Sequence, residues 1–226
     1  MTCRVAITGA SGYVGKALTV ALIERGHDVL AIVRPGGLQR AARGARAVET
    51  NVFSVDELAR AVQGRDTVVH LIGTPHPNPS KAREFERVDL GSVRVGVPAA
   101  VRANVAHFIY VSVAQPAPVM RAYIEARAEA ERIIMDAKLT ATIIRPWYVL
   151  GPGHRWPLLL VPFYACAELV PSLREGARRL GLVTLRQMVD VLVRAIEQPP
   201  SPGTTRVLGV SEIKTASEQH STSAGE

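Results

Sequence analysis

Ser112, Tyr123 and Arg127 are the residues whose types and spacing suit carbonyl chemistry. Tyr123 and Arg127 stand four apart in a stretch that reads as helix, so their side chains share one face. A phenol donates a proton to a carbonyl oxygen when a nearby cation favours its phenolate. A serine hydroxyl holds the same oxygen by a hydrogen bond. The alternative is an ordinary solvated helix, since residues 125–132 alternate acidic and basic side chains among alanines.

A second group of residues suits a dinucleotide. Gly9, Gly12 and Gly15 punctuate the run Gly9-Ala10-Ser11-Gly12-Tyr13-Val14-Gly15, between an apolar strand at 3–8 and an apolar helix pattern at 16–23. A helix N-terminus offers unpaired N–H groups and a partial positive charge, which suit a diphosphate. Gly9 would allow the tight turn, Gly12 the close approach of backbone to phosphate, and Gly15 the packing of helix on strand. Ser11 is a further phosphate donor. The second strand, 28–33, leads to Arg34, where an acidic residue would hold a ribose 2′-hydroxyl. An arginine there suits a 2′-phosphate, so NADP(H) is favoured over NAD(H), with Arg40 and Arg43 adding charge. Asp28 lies at the wrong end of that strand. The other reading of Arg34 is a surface residue before the turn Pro35-Gly36-Gly37. After the third strand, Asn51 and Val52 stand where an adenine edge would be met. Gly73, after the fourth, would let the backbone approach a ribose. Structural turns explain both equally well. The six histidines show no metal-ligand spacing, and no metal is expected.

The elements that must position these residues alternate along the chain. Further strands are read at 45–48, 66–72, 107–112, 140–145 and 206–210. Helices are read at 54–62, opened by a Ser54–Glu57 capping box, at 83–103 with Pro98 as a kink or break, and at 185–197. Near-continuous apolar strands separated by helices define an α/β fold, a doubly wound parallel sheet covered on both faces, with a small C-terminal substrate lobe. The expected organisation is a single Rossmann domain over 1–214, its lobe starting near 147, and a disordered tail at 215–226.

Bulk properties narrow the class. An apolar fraction of 47% in 226 residues supports a sizeable core. Two cysteines, Cys3 and Cys166, are too few for a disulfide scaffold and suit a reducing compartment. The first strand begins almost at Met1, so no leader is expected and the cytoplasm is the default location. A net charge of +7 invites nucleic acid, but the arginines are scattered and only 5% of residues are aromatic, so no nucleic-acid partner is expected. The stretch 156–173 is apolar but broken by prolines, too short for the ~20 residues a membrane span needs. It reads as a lid, a peripheral membrane contact or plain packing.

These residues carry a resemblance. The run from Thr8 to Gly15, Val111-Ser112, Tyr123-Ile124-Glu125-Ala126-Arg127, and Arg145-Pro146-Trp147-Tyr148-Val149-Leu150-Gly151-Pro152 resemble the short-chain dehydrogenase/reductase superfamily. The similarity is to its atypical, NmrA-like NAD(P)-binding branch, near an accessory subunit of respiratory complex I. The resemblance covers about residues 1–210. It implies catalytic positions for Ser112 and Tyr123, and places Pro146 and Trp147 near the nicotinamide. The family pattern is Tyr-x-x-x-Lys; Arg127 departs from it, still able to favour phenolate and bind ribose hydroxyls, but unable to titrate near neutral pH. Two functions follow. One is an NADP(H)-dependent oxidoreductase acting on a small or medium apolar carbonyl or quinone-like substrate. The other is a non-catalytic NADP(H)-binding protein acting through a protein partner. The short region after Pro146 argues against a sugar epimerase.

Overall fold

The structure, a computed structural model, describes residues 2–116, 120–151 and 181–223. In chain order the strands are β1 (Arg4–Thr8), β2 (Asp28–Val33), β3 (Arg46–Glu49), β4 (Thr67–His70), β5 (His107–Val111), β6 (Ala141–Ile144), β7 (Tyr148–Leu150), β8 (Leu182–Thr184) and β9 (Thr205–Leu208). The helices are α1 (Tyr13–Glu24), α2 (Val55–Val62), α3 (Ala82–Glu84), α4 (Gly91–Arg102), α5 (Arg121–Asp136), α6 (Leu185–Glu197) and α7 (Val210–Ser223). Seven strands form one parallel sheet in the order β3-β2-β1-β4-β5-β6-β9, and β7 pairs with β8 apart from it. This is the doubly wound α/β sheet.

Strand alternation explains the two helical layers. Val5, Ile7, Val29, Ala31 and Ile109 point to one face, where they pack with Leu18, Leu22, Leu192 and Ile213 of α1, α6 and α7. Their neighbours Ala6, Leu30, Ile32, Phe108 and Tyr110 point to the other, onto Leu58, Val93, Val97 and Ile134 of α2, α4 and α5. Each fully buried leucine or isoleucine contributes ~1.5–3 kcal/mol. The chain runs outward from β1 through β2 and β3, then returns to the far side of β1 as β4. Thr8 stands level with Ile32 on one side and His70 on the other. The loops after β1, β2, β4 and β5 therefore emerge along one edge at the switch point, where such sheets bind ligands.

Several expectations are corrected. The helix read at 83–103 is three pieces: α3, a π-helical turn at Phe85–Leu90, and α4. Pro98 lies inside α4 without ending it. Ser54 caps α2 by accepting the Glu57 N–H, but the Glu57 carboxylate takes the Asn51 N–H at 3.2 Å, so the capping box is only half made. The last strand ends at Leu208, and the polar segment expected to be a disordered tail from Thr215 continues a helix to Ser223. Val210, Ile213 and Ala216 recur every three residues and are buried, anchoring α7 to the core from its first turns. Among the described residues no helix is long and apolar enough to cross a membrane. The stretch 156–173, Cys166 and Pro152 lie outside the described residues.

Candidate functional site

The glycine turn follows β1 directly. Gly9 adopts φ +75°, and a Cβ there would lie 2.9 Å from the Leu71 backbone, so only glycine fits without strain. Its carbonyl accepts the Gly12 N–H at 2.9 Å. A Cβ on Gly15 would overlap Gly9 O and stand 2.8 Å from Ala10 Cα; its absence lets α1 lie on the turn. Gly12 begins α1 with no side-chain cap, and no acidic residue occupies the first turn. The positive end of the helix is thus not offset by a side chain of its own first turn. These features fit a diphosphate. Ser11 and Val14 are half-buried in the same turn. The Tyr13 hydroxyl packs where a side chain at Gly151 would be, and burial pushes its pKa up.

Around this turn, Arg34 is exposed at the carboxyl end of β2, with Arg40 and Arg43 also exposed nearby in sequence. The Gly37 N–H donates to Glu49 at 3.1 Å and ties the intervening turn to β3. Asp28 lies at the opposite end of β2, paired with Arg65 at 2.8 Å. Asn51 is exposed, but its side-chain oxygen accepts the Phe53 N–H at 3.1 Å, leaving its amide NH₂ for any ligand. Val52 is half-buried. Phe53, 49% exposed in this loop, went unremarked in the sequence, although a lone aromatic between a strand and a helix cap was a signal.

Ser112, Tyr123, Arg127, Pro146 and Trp147 line one cavity of 180 Å³, together with Val14, Leu71 and Val149. Ser112 is 4% exposed, and its Oγ has no hydrogen-bond partner among the described residues. Its N–H donates to Ile144 O at 2.7 Å, and the Ala114 N–H donates to Pro146 O at 2.8 Å, fixing the two loops to each other. The Tyr123 ring packs on Phe85 with centroids 5.0 Å apart. A larger groove of 1110 Å³ lies at the amino ends of the strands, lined by Asp66, His107 and Thr140. It contains neither the glycine turn nor Ser112, so the smaller cavity is the candidate site.

Arg127 is held more tightly than its sequence context implied. Its Nη2 donates to Asp89 Oδ1 at 2.6 Å, and its Nη1 to Tyr110 Oη at 3.1 Å and Val111 O at 2.8 Å. Asp89, fully buried, also accepts the Thr74 N–H at 3.0 Å and the Thr74 hydroxyl at 2.6 Å. The guanidinium carbon lies 5.2 Å from the Tyr123 ring centre and 5.5 Å from that of Tyr110. Burial opposes the arginine's charge, but Tyr110, Tyr123 and Asp89 outweigh it and hold the group protonated. Burial pushes Tyr110 up to about 12 even with Arg127 beside it. A Cβ on Gly73 would overlap Arg127 Nη2, so the smallness of Gly73 makes room for the guanidinium.

A buried polar chain runs beneath the site. Ser92 Oγ donates to Asp89 O at 3.2 Å and therefore accepts from His70 Nε2 at 3.0 Å; His70 Nδ1 then accepts from the Thr8 hydroxyl at 3.1 Å. Burial, helped by the Arg127 charge, lowers the His70 pKa to about 3 and keeps the ring neutral. Among the described residues no cluster of His, Cys, Asp or Glu could hold a metal.

The sheet order, glycine turn and edge cavity define a Rossmann-type, doubly wound α/β protein. The chain belongs to the NAD(P)H-binding family, whose pattern matches residues 9–154. It is similar to the ceramide reductase of Caulobacter vibrioides, 31% identical over 215 residues, covering 92% of this chain and 63% of that protein. It is also similar to the 2-alkyl-3-oxoalkanoate reductase of Stenotrophomonas maltophilia, 28% identical over 214 residues, 80% of this chain and 58% of that protein. The chain thus spans less than two thirds of either relative. Among solved structures, MoeE5 in complex with UDP-glucose and NAD superposes with a TM-score of 0.68 at 20% identity, over 96% of this chain and 82% of that one. A short-chain dehydrogenase/reductase superfamily protein from Agrobacterium tumefaciens with bound NAD gives 0.67 at 19% identity, over 98% and 83%. These likenesses show the shared fold.

Proposed function

We propose that the chain binds NADP(H) in the glycine turn and reduces an apolar carbonyl compound held between Ser112 and Tyr123. The observation that carries this reading is the Ser112 hydroxyl, buried without a partner among the described residues in a cavity that Tyr123 also lines. Leaving such a group unsatisfied costs ~1–3 kcal/mol, which a substrate oxygen would offset. Gly9, Ser11, Gly12, Tyr13, Val14 and Gly15 would hold the diphosphate. Arg34, with Arg40 and Arg43, would hold a 2′-phosphate and favour NADP(H) over NAD(H). Asn51 and Val52 would flank the adenine, and Pro146 and Trp147 the nicotinamide. The bound cofactor supplies the hydride. Ser112 donates a hydrogen bond to the carbonyl oxygen, and Tyr123 gives that oxygen its proton. Arg127, charged beneath the Tyr123 ring, lends the site electrostatic support. Val14, Leu71, Val149 and Trp147 make the cavity wall apolar, which suits an apolar oxo compound or quinone; the oxoalkanoate in one relative's name is in keeping with this.

A non-catalytic NADP(H)-binding role has one observation in its favour. The Arg127 guanidinium is committed to Asp89, Tyr110 and Val111 and meets Tyr123 at the ring face. Titration of NADPH by fluorescence, with turnover measured over a carbonyl and quinone panel, separates the two readings. Tyr123→Phe is expected to lower kcat by ~10²-fold or more while NADPH affinity is kept. Tight NADPH binding with equal, negligible turnover in wild type and variant overturns the enzyme reading. Arg34→Glu is expected to weaken NADPH by ~10-fold or more and NADH far less; equal losses would show that Arg34 does not read a 2′-phosphate.

A further inference from the structure

We propose that Glu131 is a positioning residue of this site, one carboxylate gathering three of the segments that line the cavity; the proposal rests on the carbonyl-reducing reading above. Glu131 follows Arg127 by four residues and Tyr123 by eight on α5, so the three share a face. It is 1% exposed. Its Oε1 accepts from Arg145 Nε at 3.0 Å and from Gln115 Nε2 at 3.0 Å, and its Oε2 accepts from Arg145 Nη2. Arg145 opens the segment after β6 that carries Pro146 and Trp147. Gln115 lies three residues beyond Ser112 in the segment after β5. The carboxylate itself rides on the helix that carries Tyr123.

The backbone bonds of Ser112 to Ile144 and of Ala114 to Pro146 join the two loops, but neither reaches α5. Arg127 ties α5 to the end of β5 through Val111 O. Glu131 ties the same helix to the segment after β6. A two-pronged guanidinium–carboxylate contact fixes orientation as well as distance, which a single hydrogen bond does not. Glu131 does not line the cavity, so it acts through Tyr123 and Trp147 rather than on substrate. Buried ion pairs of this kind contribute little net stability against an apolar replacement; their geometry is what the site uses.

The test needs a reading independent of turnover. The chain has two tryptophans, Trp147 and Trp156, so Trp156→Phe leaves Trp147 as the sole emitter. In that background Glu131→Gln is expected to raise the acrylamide quenching constant of Trp147 with NADPH affinity unchanged. For a carbonyl that the wild type turns over, Glu131→Gln and Arg145→Gln are each expected to lower kcat by ~10–100-fold with KM little changed, and the double variant by no more than either alone. Unchanged Trp147 quenching, or losses that multiply in the double variant, would overturn the proposal. Where Glu131→Gln does not unfold cooperatively, Gln115→Ala removes one of the three bonds and carries the same readings. A wild type that reduces no carbonyl defeats the reaction assigned to the site, while Trp147 quenching still decides whether Glu131 holds the segment.

Discussion

The Arg127 guanidinium reaches Asp89, Tyr110 and Val111 together, which a lysine ammonium would not do in the same geometry. Arg127→Lys is therefore expected to lower unfolding stability by ~1–3 kcal/mol, measured by urea denaturation. Asp89→Ala strands a buried cation and is expected to cost more, ~3–5 kcal/mol. The reverse order would show that the pair is not the anchor. The places of Ser112, Tyr123 and the three glycines in the fold were legible in the sequence because each is set locally: a strand end, a helix face, a turn. Asp89 was not. In the sequence it sits between Val88 and Leu90 like any surface carboxylate, and its meaning comes from a partner 38 residues away.

Helix α1 and the turn before it set the cradle by steric exclusion. Gly15→Ala would place a methyl group on Gly9 O and against Ala10, atoms of backbone that cannot rotate aside. The expected result is a loss of ~1–3 kcal/mol in stability and a sharp loss of NADPH affinity; unchanged binding in a fluorescence titration would show that the turn has room. At this scale the sheet strands were readable, because parallel strands buried on both faces are apolar runs. The π turn at Phe85–Leu90 was not, since one inserted residue barely disturbs a helical pattern. Helix α7 was also hidden: its anchors Val210, Ile213 and Ala216 lie mostly ahead of the polar stretch that dominates its composition. The capping box opening α6 at Thr184, closed by Gln187, was present in the sequence as a Thr-x-x-Gln pattern and was passed over.

Among the described residues two of the buried histidines, His70 and His107, have pKa values lowered to about 3 and about 4, both chiefly by burial. Both are neutral when folded and take up a proton near 6.5 when unfolded, so the unfolded state binds more protons below that value. Stability is expected to be full above pH 6.5 and to fall towards pH 4 by ~1.4 kcal/mol per unit for each histidine. Urea denaturation at several pH values checks this, and His107→Gln should flatten the slope. An unchanged slope would assign the loss to carboxylates instead. The sheet order has a further consequence for synthesis. Strand β1 leaves the ribosome before β4, yet its Thr8 pairs with His70, 62 residues later. Until β4 emerges, a strand destined for the sheet interior has one edge bare, and contacts of such long range close slowly. Nascent chains stopped before β4 should therefore be the ones that chaperones and proteases find.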